Sequence, residues 1–171
     1  RNYIYHTACL PLGGERVTQD LAMALRISST EAEHIKTNQS VCYAPNASED
    51  VQVDDLSLNS GKPVTQKYVA QVIQARYEEQ MQAIKILIEK LGISRQLSRG
   101  FVFTGGASSI EGFLSLATEV LNAPVRLGVN EGFTNEYLNR PEYATLAGLI
   151  EYAISSKDSV HRGEETGLNR S

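Results

Sequence analysis

Apolar residues recur along this chain in two periods, and the switches between them mark out its elements. Tyr3–Cys9 alternates and is rich in aromatic and β-branched residues, the period-two pattern of a strand. Leu10-Pro11-Leu12-Gly13-Gly14 ends it. From Glu15 the spacing turns helical, with Val17, Leu21, Ala24 and Leu25 on one face. Ser28–Glu33 holds two overlapping capping boxes, Ser28 with Glu31 and Thr30 with Glu33, which predict a second helix from about Ser29 to Asn38. Val41–Ala44 and Val51–Leu58 read as short strands around the polar turn Pro45–Asp50, and Asn59–Pro63 is a strong break.

The longest helical pattern runs from about Thr65 to Leu91. Its apolar positions include Val69, Val72, Ile73, Tyr77, Met81, Ile84, Leu87 and Ile88, and Gly92 stands as the C-terminal cap. A helix of that length, ~40 Å at 1.5 Å per residue, can connect two subdomains. Gly100–Phe103 reads as a short buried strand that ends in Thr104-Gly105-Gly106. Helical spacing resumes with Ile110, Leu114, Ala117, Val120 and Leu121. Pro124–Leu127 reads as another strand, and after a Gly/Asn loop a final helix is predicted from about Pro141 to Ile154. Beyond Ser155 the apolar pattern stops, which is linker or tail composition. The order predicts a mixed α/β fold with a small insertion between two larger pieces.

Composition narrows what such a fold can do. With 171 residues the chain makes one domain or one lobe of a larger protein. A net charge of −4, with basic residues interleaved among acids, leaves no electrostatic footprint for nucleic acid. Cys9 and Cys42 form no CxxC pair, which excludes a zinc ribbon and gives no disulfide framework. The opening RNYIYHTACLPLGG lacks the charged and apolar regions of a signal peptide, and no apolar run approaches the ~20 residues of a membrane span. The chain starts without Met in mid-pattern and reads as part of a longer protein.

Three local features carry possible chemistry. In Phe101–Gly112 (FVFTGGASSIEG) a strand delivers two glycines to a helix start, where backbone can approach a phosphate or nucleoside closely. Gly13-Gly14 repeats that arrangement after the first strand. Glu33 and Lys36, three apart, share a helix face and could reach a ribose and an adenine edge. Each also has a plainer reading, since glycine pairs punctuate turns and an E-x-x-K pair is a common surface ion pair. Neither the Rossmann fingerprint nor a P-loop is present.

The order of the three features carries more than any one of them. Strand-GG, helix with E-x-x-K, small insertion, long helix and TGG-helix resembles the second large domain of the actin, DnaK-type chaperone and sugar-kinase superfamily. Within it the chain is most similar to the FtsA family of bacterial cell-division proteins. The likeness lies in LPLGGERVTQDLAMALRISSTEAEHIKTN, VAQVIQARYEEQ, GFVFTGGASSIEGFLSLATEVLNAPVRLG and PEYATLAGLIEYA, which span residues 10 to about 153.

The resemblance implies an actin-like (ribonuclease-H-like) α/β ATPase domain, of which this is the second lobe with a small α+β subdomain. Residues 1–14 and 77–156 would form the larger subdomain, 15–76 the smaller insertion, and 157–171 a polar linker. By likeness, Gly13 and Gly14 would lie near phosphates, Glu33 and Lys36 would hold ribose and adenine, and Gly105, Gly106, Ser108 and Ser109 would face the adenosine. The cofactor implied is ATP, with magnesium in the full-length parent. The family's first phosphate turn and first domain lie outside this sequence, so the chain alone is expected to bind ATP weakly or not at all and to be inactive as an ATPase. The family links FtsZ filaments to the inner membrane during septum formation, assembles into actin-like filaments with other division proteins, and reaches the membrane through a C-terminal amphipathic helix absent from these residues. The FtsZ C-terminal tail, acidic and apolar, would meet the basic residues Lys62, Lys67 and Arg76, which equally suit a solvated helix face. An actin-like pilus-assembly scaffold of the PilM type and a sugar- or acetate-kinase lobe are the alternatives. The first differs in its peptide partner, and the second would need an acid–base dyad that these residues do not supply.

Overall fold

The computed structural model describes residues 4–49, 64–97, 99–130, 133 and 136–167. They form five α-helices, two short strands and several 3-10 turns, in two compact units. One unit comprises residues 1–100 and 110–124, and the other 101–109 and 125–171.

The first unit holds the apolar core. Helix α1 (Gly14–Leu25) buries Val17, Thr18, Leu21 and Leu25, so Thr18 takes a place in the core while the expected Ala24 stays exposed. Helix α2 (Ser29–Asn38) is started by the Ser28–Glu31 capping box: Ser28 Oγ accepts from the Glu31 N–H at 3.2 Å, and Glu31 Oε2 accepts from the Ser28 N–H at 2.9 Å. Thr30 lies inside the helix, so the second predicted box does not form. Helix α3 (Gln66–Leu91) is bounded as predicted, with the Thr65 side chain accepting from the Tyr68 N–H and Gly92 as a left-handed cap. Its burial is confined to Val69, Ala70, Ile73, Tyr77 and Met81; the more distal Ile84, Leu87 and Ile88 are only half-buried. Tyr77 meets Phe113 edge-on, with centroids 5.6 Å apart, and so joins α3 to α4 (Phe113–Leu121). Each fully buried side chain such as Leu21, Ile73 or Leu116 contributes about 1.5–3 kcal/mol by leaving water.

Three further sequence expectations are corrected in this unit. Residues 4–10 form no strand, and Ile4 and Tyr5 are 83% and 70% exposed. A period-two pattern needs a ladder partner, and the described residues provide none for this segment. Of Val41–Ala44 only Val41 bridges, to Glu111; Pro45, with no N–H to donate, turns the chain into a 3-10 turn at Ala44–Asn46. Helix α4 starts at Phe113 and not near Ile110, because a 3-10 turn (Gly106–Ser109) and the Glu111 bridge intervene. Its buried face is therefore Phe113, Leu116, Ala117 and Leu121, with Leu114 turned outward. The expected strand Val51–Leu58 and the break Asn59–Pro63 lie outside the described residues.

The second unit is built on a parallel pair, β1 (Phe101–Phe103) with β2 (Val125–Leu127), in register Phe101↔Val125 and Phe103↔Leu127. The Gly128 N–H extends the ladder to the Phe103 carbonyl at 2.6 Å. The strand is less buried than its composition suggests, for Val102 is 54% exposed. Pro141–Tyr143 makes a 3-10 turn, and helix α5 continues from Ala144 to Gly167, well past Ile154. Each added helical residue gains a backbone hydrogen bond, so extension does not require an apolar face.

Candidate functional site

The N-terminus of α1 is the best-organised polar site in the first unit. Gly13 is its N-cap, in extended backbone, and no side chain caps the first turn. A Cβ built on Gly13 would meet nothing within 4 Å, so neither conformation nor packing calls for glycine there. The space at Gly13 is open, and N–H groups in the first turn of a helix are the kind that donate to an anion. Gln80 of α3 holds the turn by donating from Nε2 to the Gly13 carbonyl at 3.1 Å.

Beside this turn the structure brings Glu33 and Lys36 together with two groups of α1. The Lys36 ammonium donates to the Gly14 carbonyl at 3.3 Å, Thr18 Oγ1 at 2.9 Å and Glu33 Oε2 at 2.5 Å. The Thr18 hydroxyl donates to the same Glu33 oxygen at 2.5 Å. Thr18 is 2% exposed, and the Lys36 side chain 13%. Burial alone would raise the Glu33 pKa, but the bonds from Lys36 and Thr18 and the Lys36 charge outweigh it and hold the carboxyl below its ordinary value. Sequence reasoning missed Thr18; its signal is its place three residues before Leu21 and seven before Leu25, which puts it on the inward face of α1. His34 is exposed on α2.

In the second unit the Thr104–Ser109 turn is clamped from a distance in sequence. The Pro141 carbonyl accepts from the Gly105 N–H at 2.9 Å and from the Thr104 hydroxyl at 3.1 Å. Gly105 has φ +92°, a conformation that disfavours any side chain, so the turn itself demands this glycine. Gly106 differs: its φ is unexceptional, and an added Cβ would only touch Glu142 Cγ at 3.8 Å. Ser108 is buried and spends its hydroxyl on the Gly105 carbonyl at 2.7 Å, closing the turn, whereas Ser109 is exposed.

Of the three basic residues expected at a partner surface, Lys62 lies outside the described residues. Lys67 pairs with Glu49 and lines an open depression of about 540 Å³ with Ala44, Pro45, Gln71 and Gln74. Arg76 pairs with Asp20 and Glu79 and lines a second, of about 500 Å³, whose apolar part is Met23, Ala24, Val72 and Ala75. Among the described residues no group of acidic, His and Cys side chains could hold a metal ion, and no helix is long and apolar enough to cross a membrane.

The order of turns and helices matches known proteins. Residues 1–148 match the family model described as cell division protein FtsA. The chain belongs to the FtsA family. It is 34% identical over 159 residues to the FtsA of Pseudomonas aeruginosa, covering 90% of this chain and 38% of that protein. Against the FtsA of Bacillus subtilis it is 36% identical over 155 residues, covering 88% and 34%. Against that of Escherichia coli it is 33% identical over 170 residues, covering 93% and 40%. The chain thus spans well under half of the FtsA relatives it matches. Among solved structures it is similar to MreB 5 of Spiroplasma citri bound to AMPPNP, with TM-score 0.67 and 14% identity over 90% of this chain and 47% of that one. That likeness shows the fold, which is actin-like.

Proposed function

We propose that this FtsA-family chain supplies the nucleoside and part of the phosphate contacts of an ATP site in a full-length division scaffold. The observation that carries the reading is the Gly14–Thr18–Glu33–Lys36 cluster beside an uncapped helix N-terminus with open space at Gly13. A phosphate suits the helix terminus, and a carboxylate held ionised suits sugar hydroxyls. Gly13 and Gly14 take the phosphate side, Glu33 and Lys36 the ribose side, and Gly105, Gly106 and Ser109 the adenosine, with Ser108 shaping the turn. AMPPNP on the MreB neighbour supports a nucleotide as ligand. In this reading residues 1–14 and 77–156 make the larger subdomain and 15–76 the smaller one.

The full-length protein would join FtsZ filaments to the cytoplasmic face of the inner membrane and self-associate with other division proteins. The FtsZ tail would dock beside α3, near Lys67 and Arg76, where its acids compete with Glu49, Asp20 and Glu79 for the basic groups, and Lys62 is proposed as a third basic contact from the sequence alone. Two titrations test the reading. ATP should bind the full-length protein and bind more weakly after Gly106→Val; unchanged affinity removes the turn from the site. An FtsZ C-terminal peptide should bind the folded chain saturably and lose affinity with Lys67→Glu. No saturable binding to a folded chain would sink the partner assignment.

A further inference from the structure

The chain has two methionines, and the fold sends them to opposite environments. Met81 of α3 is 2% exposed in the core, whereas Met23 of α1 is 78% exposed. A thioether that peroxide can reach is open to oxidation, and one sealed in a core is not. Of the two cysteines, only Cys9 offers peroxide another exposed sulfur.

Met23 does not stand on isolated surface. Asp20, Met23 and Ala24 share one face of α1, and Val72, Ala75, Arg76 and Glu79 share one face of α3. Together they line the depression of about 500 Å³ that holds Arg76. Ala24 and Ala75 are short, so Met23 and the half-buried Val72 supply its larger apolar side chains. The unbranched, polarisable thioether adapts to irregular partners, which suits a docking surface. A tail that is both acidic and apolar, set beside Arg76, would cover Met23 and Val72 with its own apolar side chains.

We propose, resting on the FtsZ-tail reading above, that Met23 is a modification site at which oxidation to the sulfoxide releases the tail. The oxidant is hydrogen peroxide. A lone pair on Met23 Sδ attacks one peroxide oxygen, the O–O bond breaks, and the proton carried on the transferred oxygen leaves with the departing hydroxide as water. The sulfur is oxidised to the sulfoxide, and the peroxide is reduced to water. The product sets a strong acceptor oxygen where an apolar side chain docks, and covering it without a donor costs affinity. Met81 is spared by its burial, so the core stays intact while the docking surface changes.

The test uses this chain carrying Cys9→Ser, which removes the other exposed sulfur, and an FtsZ C-terminal peptide. Hydrogen peroxide is added and then removed before the peptide is titrated, and mass spectrometry of the digested chain reads which methionine has gained oxygen. The native chain should take one oxygen at Met23 and leave Met81 unchanged. Peptide affinity should then fall roughly fivefold or more, the effect of covering an unpaired polar group. Methionine sulfoxide reductases should restore both the mass and the affinity. A Met23→Leu chain should bind the peptide equally before and after peroxide, whatever its own affinity. A chain oxidised at Met23 that keeps its full affinity would overturn the proposal. So would a Met23→Leu chain that loses affinity on oxidation as its parent does, or native oxidation of Met81 in step with Met23. A chain that never binds the peptide, oxidised or not, would instead remove the FtsZ-tail reading, so the two failures are distinct.

Discussion

The guanidinium of Arg76 on α3 grips both carboxylate oxygens of Asp20 on α1, fifty-six residues earlier. Both side chains are about a quarter exposed, 24% and 27%, so the pair is partly shielded from water. A two-pronged arginine–carboxylate contact of this kind is stronger than a loose surface pair. Arg76→Ala should lower the stability of the chain by about 1–2 kcal/mol, and Asp20→Asn by a similar amount. Urea unfolding of both singles and the double variant checks it. The double variant should lose less than the sum of the singles, and strict additivity would mean that the two residues do not interact.

Acid should act on the Glu33 cluster in a defined direction. Burial works to raise this carboxyl, but Lys36 and Thr18 bring it below its ordinary value of 4.5. A depressed folded-state pKa gives stability that is present above the unfolded value and fades as pH falls through the folded one. The stability gap between wild type and Glu33→Gln should therefore hold from neutral pH down to about 4.5 and shrink below it. Denaturation midpoints measured across that range decide the matter. A gap independent of pH would mean that Glu33 is not ionised in the cluster.

The two cysteines should differ sharply toward an alkylating reagent. Cys42 is completely buried, and that burial pushes its thiol up to about 12, although a backbone hydrogen bond partly offsets it. Cys9 is exposed. Since the thiolate is the reactive form, iodoacetamide at pH 8 should label Cys9 in minutes and spare Cys42 until denaturant is added. Peptide mass spectrometry reads this directly, and fast labelling of native Cys42 would contradict its burial.

Two glycine positions make a matched control. At Gly100, φ is +80° and an added Cβ would lie 2.0 Å from the Pro124 carbonyl oxygen. Gly100→Ala should cost about 3 kcal/mol or more, from left-handed backbone strain together with the clash. At Gly13 an added Cβ meets nothing, and Gly13→Ala should stay within about 0.5 kcal/mol of wild type. Thermal melts of the two variants check the contrast, which shrinks if the open space at Gly13 is filled in the folded chain.

Where local signals agreed, the sequence reading and the structure coincide. Helix α3 is an example, since the Thr65 cap, the recurring apolar face and Gly92 all act within a few residues of one another. The two TGG and GG turns were legible for the same reason. Residues 4–9 alternate as a strand does yet form none, because alternation makes a strand only where a neighbour completes its hydrogen bonds. The Pro141 clamp on Gly105 and the Gln80 bond to Gly13 were invisible, because each joins residues far apart in sequence through a backbone carbonyl that any residue could supply.

Glu33 marks the boundary between the two kinds of knowledge. By itself the sequence determined that a helix begins near Ser29 and that Glu33 and Lys36 share its face, because caps and helical period act over three or four residues. It also held the ordered motifs that identify the FtsA family. It left Glu33 with a choice between capping Thr30 and pairing with Lys36. Tertiary structure made that choice by bringing Thr18, fifteen residues earlier, against the carboxylate. A buried hydroxyl and a mostly buried ammonium must both find partners, and only the packing of α1 on α2 sets which partners are in reach.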